Sequence, residues 1–147
     1  MHDPFSMRPF FGYNFGHYLQ HWISLGSRKN LPTVFMVNWF RKSSEGSFLW
    51  PGFGENIRVL DWCLKRCDKV KGNAEKSPIG LLPSKDSLDL TGLQETVDLE
   101  AIFSTPKDFW LSEIEELRHY FHNQVGNSLP QEIIHQLDAL EERFNNQ

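Results

Sequence analysis

The sequence predicts a mixed α and β fold: a helix, a small antiparallel strand pair, then mainly helices that close in a C-terminal helical hairpin. Three observations carry this. Apolar residues recur with a helical period through most of the second half of the chain. A β-branched and aromatic run, Thr33-Val34-Phe35-Met36-Val37-Asn38-Trp39-Phe40, has the character of a strand. A polar turn and a second short run, Ser47-Phe48-Leu49-Trp50, follow directly, as a hairpin requires.

Taken in order, Met1–Pro9 contains two prolines and no period, which predicts an extended or turning segment. Phe10–Gly16 interleaves aromatics with glycines, which let a backbone turn or approach another closely. A helix is expected from about Tyr13 to Leu25, with Tyr18, Trp22 and Leu25 on one face and Gly26 closing it. Ser27–Pro32 is a polar loop. The near-continuous apolar character of Thr33–Phe40 predicts burial on both faces. Arg41–Gly46 supplies a six-residue turn, Pro51 stops the second strand, and Pro51–Gly54 is a sharp connection.

A helix then starts near Glu55 or Asn56, with Ile57, Leu60, Leu64 and Cys67 as its apolar stripe. Glu55 in the first turn and Lys65 and Arg66 in the last suit the helix dipole. Lys69–Ser77 reads as a polar loop, Pro78–Pro83 as a short apolar crossing segment, and Ser84–Leu93 as a further loop. The C-terminal hairpin has stripes Trp110, Ile114, Leu117, Phe121, Val125 and then Ile133, Leu137, Leu140, Phe144, with Gly126 between them. Thr105 before Pro106, and Ser128 before Gln131, have the pattern of N-caps.

The chain has 147 residues, a size for one ordinary domain, and its 39% hydrophobic content argues against disorder. The net charge of −4 is uneven. Residues 1–50 are mildly basic and hold most of the aromatics, whereas residues 101–147 are acidic. This favours a flat, anionic ligand near the first part, although the basic excess is far below that of a nucleic-acid binder. No apolar run is long enough to span a membrane. The two cysteines make no disulfide framework, and no N-terminal signal pattern occurs. A reducing intracellular compartment is the expectation.

Candidate catalytic groups are few. His17 and His21 have i, i+4 spacing, but position 18 is Tyr, so the glutamate of a metalloprotease helix is missing. Cys63 and Cys67 lack a second pair to complete a zinc site and read as half-buried thiols. His119 and His122 sit on an acidic helix and read as solvated. No phosphate-cradling glycine loop followed by lysine occurs. The segment from Trp39 to Asn56 is different. Phe40, Phe48 and Phe53 crowd two strand ends and the turn between strand and helix. Aromatic faces stack on any base, and an amide such as Asn56 adds a donor and an acceptor that discriminate among bases. Ordinary core filling by the same rings is the alternative.

The residues Met1–Gly16, Val37-Asn38-Trp39-Phe40-Arg41-Lys42, Phe48-Leu49-Trp50-Pro51-Gly52-Phe53-Gly54-Glu55-Asn56 and Pro78-Ile79-Gly80 resemble GTP-dependent phosphoenolpyruvate carboxykinase, as does the final helical hairpin. The resemblance covers essentially the whole chain, residues 1–147, as the C-terminal part of that family's nucleotide-binding domain. Within it, 1–53 is an aromatic helix plus strand pair, 54–104 a helix and loops, and 105–147 the helical hairpin. As an isolated piece such a segment is α+β-like. The resemblance implies conversion of oxaloacetate and GTP to phosphoenolpyruvate, GDP and carbon dioxide in gluconeogenesis, with Mn2+ or Mg2+. It implies that guanine lies between Phe40 and Phe53, with Phe48 in the same pocket. It also implies that Phe53, Gly54, Glu55 and Asn56 contact the base, the asparagine at its edge.

The family's phosphate loop, its metal-ligating Lys, His and Asp, its substrate arginines and its mobile lid match nothing in this sequence. The implied partners are therefore a guanine nucleotide here and oxaloacetate or phosphoenolpyruvate in a full enzyme. Neither nucleic acid nor membrane is implied. The isolated chain is expected to be inactive and marginally stable. It is expected to self-associate, in contrast to a monomeric parent enzyme. The implied location is the cytoplasm or mitochondrial matrix, without secretion. Two other readings stay open: a non-catalytic interaction or regulatory module that keeps the fold, and binding of single-stranded RNA by the aromatic half, which the acidic total disfavours.

Overall fold

The computed structural model describes residues 10–147; the expected extended or turning segment at Met1–Pro9 lies outside them. The element order is α1 (Phe15–Leu25), a 3-10 turn (Phe53–Glu55), α2 (Asn56–Cys67), β1 (Ala74–Ser77), β2 (Gly80–Pro83), α3 (Leu99–Phe103), α4 (Lys107–Gln124), a second 3-10 turn (Gly126–Ser128) and α5 (Gln131–Asn145). The chain forms two compact units. One joins the segment up to Pro32 to Pro106–Gln147, and the other is Thr33–Thr105.

In the first unit, α4 and α5 form the expected hairpin. Phe144 and Ile114 are its most deeply buried side chains, and Trp110 stacks on Phe144 with ring centroids 5.8 Å apart. Phe15 and Leu19 of α1 join Phe121, Val125 and Leu137 in one apolar cluster. The deepest face of α1 is thus Phe15, Gly16 and Leu19, with Tyr18 and Leu25 half-buried beside it and Trp22 exposed. The expected Tyr18–Trp22–Leu25 stripe is displaced by one position, because contact with α4 and α5 chooses the face. Gly16 makes this packing possible: a Cβ there would lie 2.2 Å from the carbonyl oxygen of Ser128. Asn14 caps α1, its Oδ1 accepting from the Gly16 N–H at 2.7 Å. On the solvent side Arg118 of α4 pairs with Asp138 and Glu141 of α5, at 2.7 and 2.8 Å.

The expected caps at Thr105 and Ser128 are not formed. The two helices start after Pro106 and Pro130, each of which takes the N-cap position with extended backbone and no side-chain bond. Ser128 instead ends a 3-10 turn. Proline supplies the extended backbone that a cap requires without any side-chain hydrogen bond.

The strand pair is present, but elsewhere than expected. Thr33–Phe40 forms no strand among the described residues, and Val34 and Met36 are 65% and 80% exposed. The hairpin expected with Ser47–Trp50 shrinks to a single antiparallel bridge, Lys42 to Phe48. The reversal itself is as expected: the Ser43 N–H donates to the Ser47 carbonyl at 2.8 Å, and the Leu49 N–H to the Arg41 carbonyl at 2.9 Å. A strand built for burial on both faces needs neighbours on both edges; the described residues supply none. The regular antiparallel pair is β1 with β2, in register Ala74 to Pro83 and Ser77 to Gly80, around the two-residue turn Pro78-Ile79. The Lys69–Ser77 loop and Pro78–Pro83 crossing segment of the sequence reading therefore contain this hairpin.

Helix α2 starts and ends where expected, yet its stripe faces outward. Ile57, Leu60 and Leu64 are 64%, 51% and 66% exposed, and Cys67 is also exposed. The residue α2 buries is Trp62, whose indole N–H donates to the Asn73 carbonyl at 2.7 Å and whose ring meets Phe35 edge-on at 5.9 Å. Arg66 adds a 2.9 Å bond to Asn73 Oδ1, tying α2 to the start of β1.

Candidate nucleotide-base site

All six proposed base-site residues, Phe40, Phe48, Phe53, Gly54, Glu55 and Asn56, lie in the Thr33–Thr105 unit. The site is built on the Lys42–Phe48 reversal and the connection into α2. Arg41 anchors the first part. Its guanidinium donates to the carbonyls of Ile102 at 2.6 Å and Ser104 at 3.0 Å, and to Ser104 Oγ at 2.7 Å. That fixes the chain next to Phe40. The connection turns at Gly52, whose φ of 100° is left-handed territory that favours glycine. The 3-10 turn Phe53–Glu55 then feeds directly into α2 at Asn56.

The three phenylalanines are not core. Phe40, Phe48 and Phe53 are 72%, 58% and 97% exposed. Phe40 and Phe48 lie side by side, with ring centroids 6.1 Å apart and planes tilted by 58°. Lys42 Nζ sits 5.1 Å from the Phe48 ring centroid, a cation–π contact that brings positive charge beside the aromatic pair. Phe53, the most exposed large apolar residue in this stretch, stands out from the turn. Gly54 is exposed with open space where a side chain would be.

Two side chains follow the turn, and each has a partner. The Glu55 carboxylate accepts from Arg58 Nε at 2.6 Å. The same guanidinium reaches the Asp89 carbonyl through Nη1 and the Thr91 carbonyl through Nη2, the latter at 3.0 Å. Arg58 therefore pins the turn to the 89–91 loop, and the Glu55 carboxylate is committed to that pin. In the same loop the Thr91 hydroxyl and the Thr91 N–H, the latter 2.9 Å from Asp89 Oδ1, hold the Asp89 carboxyl below the usual carboxylate range. Asn56 is half-buried, and its Oδ1 accepts from the Trp50 indole N–H at 2.9 Å. Trp50, Arg58 and Arg41 are supports that the sequence pattern does not announce: Arg41 and Arg58 reach carbonyls more than thirty residues away, and Trp50 meets Asn56 only because the chain turns between them.

The other candidates separate from this site. His17 and His21 are exposed on α1, and His119 and His122 are exposed on α4. Cys63 is half-buried and Cys67 exposed; burial, with the neighbouring Cys67, pushes the Cys63 thiol up. Among the described residues no group of three or more His, Cys, Asp or Glu side chains is placed to hold a metal ion, so these residues do not fit as the ligand set of a catalytic metal. No helix among them is long and apolar enough to cross a membrane.

The structure thus leaves Phe40, Phe48 and Phe53 exposed, with Lys42 beside the Phe40–Phe48 pair and the Asn56 carboxamide held by Trp50 where the turn enters α2. Comparison with known proteins gives the class. Residues 1–143 match the family described as phosphoenolpyruvate carboxykinase C-terminal P-loop domain. The chain is 54% identical over 147 residues to the mitochondrial GTP form of phosphoenolpyruvate carboxykinase from Homo sapiens, covering 99% of this chain and 23% of that one. It is 52% identical over 146 residues to the cytosolic GTP form from Gallus gallus, covering 98% and 23%. It is 49% identical over 145 residues to phosphoenolpyruvate carboxykinase [GTP] from Ascaris suum, covering 98% and 22%. The chain belongs to the GTP-dependent phosphoenolpyruvate carboxykinase family and spans about a quarter of the length of these relatives.

Proposed function

We propose that the chain is the guanine-binding portion of a GTP-dependent phosphoenolpyruvate carboxykinase. A complete enzyme of this kind would convert oxaloacetate and GTP to phosphoenolpyruvate, GDP and carbon dioxide in gluconeogenesis. The single observation that carries the reading is the exposure of Phe40, Phe48 and Phe53 in the same short stretch of chain as an oriented carboxamide. Rings that merely filled a core would be buried. Exposed rings with open faces have the form of a stacking platform, where each base–aromatic stack is worth about 1–3 kcal/mol. Phe40 and Phe53 supply the faces, Phe48 braces Phe40, the backbone of Phe53–Glu55 offers N–H and carbonyl groups to the base edge, and Asn56 reads that edge.

Phosphoryl transfer depends on positioning and metal electrostatics. The sequence has no Gly-x4-Gly-Lys-Ser/Thr run, and the described residues form no metal cluster. We therefore assign binding of GTP or GDP to this chain, with Mn2+ or Mg2+ and the decarboxylation steps assigned to residues outside it. Calorimetry of the 147-residue chain with GDP is the test. Saturable binding is expected, with ADP weaker. A flat response to GDP up to millimolar concentration refutes the reading.

One observation favours a second reading, a non-catalytic interaction module. The outward stripe of α2 and the exposed Val34, Met36 and Val37 form the kind of apolar surface that marks an interaction site. Association with a full-length carboxykinase, in the absence of any nucleotide binding, would favour it.

A further inference from the structure

Trp50 and Asn56 are joined by one side-chain hydrogen bond. Trp50 is buried, at 8% exposure, so its indole is fixed by packing. Its Nε1–H lies 2.9 Å from Asn56 Oδ1. An indole nitrogen only donates, so it can pair with the oxygen end of a carboxamide and not with the NH2 end. The bond therefore sets the flip state of the Asn56 amide on chemical grounds. The amide nitrogen Nδ2 has no hydrogen bond of its own among the described residues. Asn56 is also the first residue of α2, with helical backbone, so its Cα cannot swing to compensate.

We infer that Trp50 is a positioning residue for base recognition: it holds the Asn56 carboxamide with NH2 offered to the ligand, and so selects a purine carrying an oxygen rather than an amino group at position 6. The inference rests on the reading that the phenylalanine surface takes a purine. An unrestrained asparagine has no such preference, because its terminal torsion is broad and two-fold, and the same amide pairs well with adenine when its oxygen faces the 6-amino group. With the oxygen held by Trp50, the NH2 meets the guanine O6 acceptor, and the second Oδ1 lone pair stays open to the guanine N1–H. Against adenine stacked in the same orientation the NH2 faces another NH2, and N1 is an acceptor. Both groups are left unpaired, which is how such sites reject the wrong base.

The test uses the 147-residue chain and the ratio of GDP to ADP dissociation constants, measured by calorimetry. GDP and ADP carry the same phosphates, so a merely structural defect weakens both alike and leaves the ratio in place. The wild type is expected to favour GDP by about tenfold or more. Trp50→Phe keeps a packed ring and removes the N–H; the ratio is expected to fall to near unity through loss of GDP affinity together with retained or improved ADP affinity. A discriminating wild type whose ratio survives Trp50→Phe overturns the inference and leaves the guanine site standing. A wild type that binds neither nucleotide removes the site and the inference together.

Should Trp50→Phe fail to fold, Asn56→Asp gives the answer with Trp50 intact. One carboxylate oxygen still accepts from the indole while the other replaces the NH2 donor, so the GDP preference is expected to drop about tenfold; an unchanged preference overturns the inference. In the ligand-free protein the Trp50 indole proton is expected to exchange slowly and to shift on Asn56→Ala. Fast exchange with no shift shows that the bond is not formed and also overturns it.

Discussion

Phe53 separates binding from stability more cleanly than any other residue of the site. At 97% exposure its ring buries almost nothing, so Phe53→Ala removes no packing, and a surface change of this kind is worth within about 0.5 kcal/mol of folding stability. Its role as a stacking face puts the binding loss at about 1–3 kcal/mol, a rise of roughly 5- to 150-fold in the GDP dissociation constant. Phe48 provides the contrast: it also contacts Phe40 at 6.1 Å and Lys42 Nζ at 5.1 Å, so Phe48→Ala should cost about 0.5–1.5 kcal/mol in stability. Phe144, fully buried in the other unit, marks the upper end, where truncation to alanine costs about 3–5 kcal/mol. Calorimetric titration with GDP and thermal melting on the same samples give both quantities. The expected pattern for Phe53→Ala is an unchanged melting temperature with a large affinity loss. A melting temperature lowered as far as in Phe144→Ala, or an affinity equal to wild type, would refute the stacking argument.

Three further outcomes are expected. Gly16→Ala places a Cβ 2.2 Å from the Ser128 carbonyl oxygen; the overpacking cost of about 1–3 kcal/mol exceeds the helix-propensity gain of at most about 1 kcal/mol, so urea unfolding should show net destabilisation, and a stabilised variant would contradict the close approach. Leu64→Glu charges the outward face of α2, where Leu64 is 66% exposed; sedimentation equilibrium should find the wild type associating and the variant shifted toward monomer, whereas a monomeric wild type would leave that face without the role. Asp89, held low by the Thr91 hydroxyl and N–H, titrates below an ordinary aspartate; its stabilising effect is present above the unfolded-state value and is lost as pH falls through the lower folded value. Carbon-detected NMR should show this low midpoint returning part of the way toward the ordinary one in Thr91→Val, which keeps the N–H, and an unmoved midpoint would exclude the Thr91 hydroxyl as a cause.

Local pattern and long-range pairing divide what was readable. The α4–α5 hairpin was legible because Ile114, Phe121, Leu137 and Phe144 repeat at helical spacing and the two helices bury those faces on each other. The start of α2 was legible from the Pro51–Gly54 break. The strand at Thr33–Phe40 was misplaced because its composition records a need for neighbours and not their presence. The β1–β2 hairpin was missed because Ala74–Ser77 and Gly80–Pro83 carry almost none of the β-branched residues that announce a strand. Its only local signals were the short turn Pro78-Ile79 and Gly80, whose φ is 129°.

By itself the sequence determined α1, α2, α4 and α5, the chain reversal after Phe40 and the aromatic run that carries the family resemblance, because each depends on neighbours a few residues away; the short α3 was not announced. Tertiary structure alone decided which face of α1 is buried, that the α2 stripe points outward, and that Trp50 grips the oxygen of Asn56. Those outcomes depend on which surfaces meet within each compact unit, and a hydrogen bond or a buried face exists only once folding has brought its two partners together.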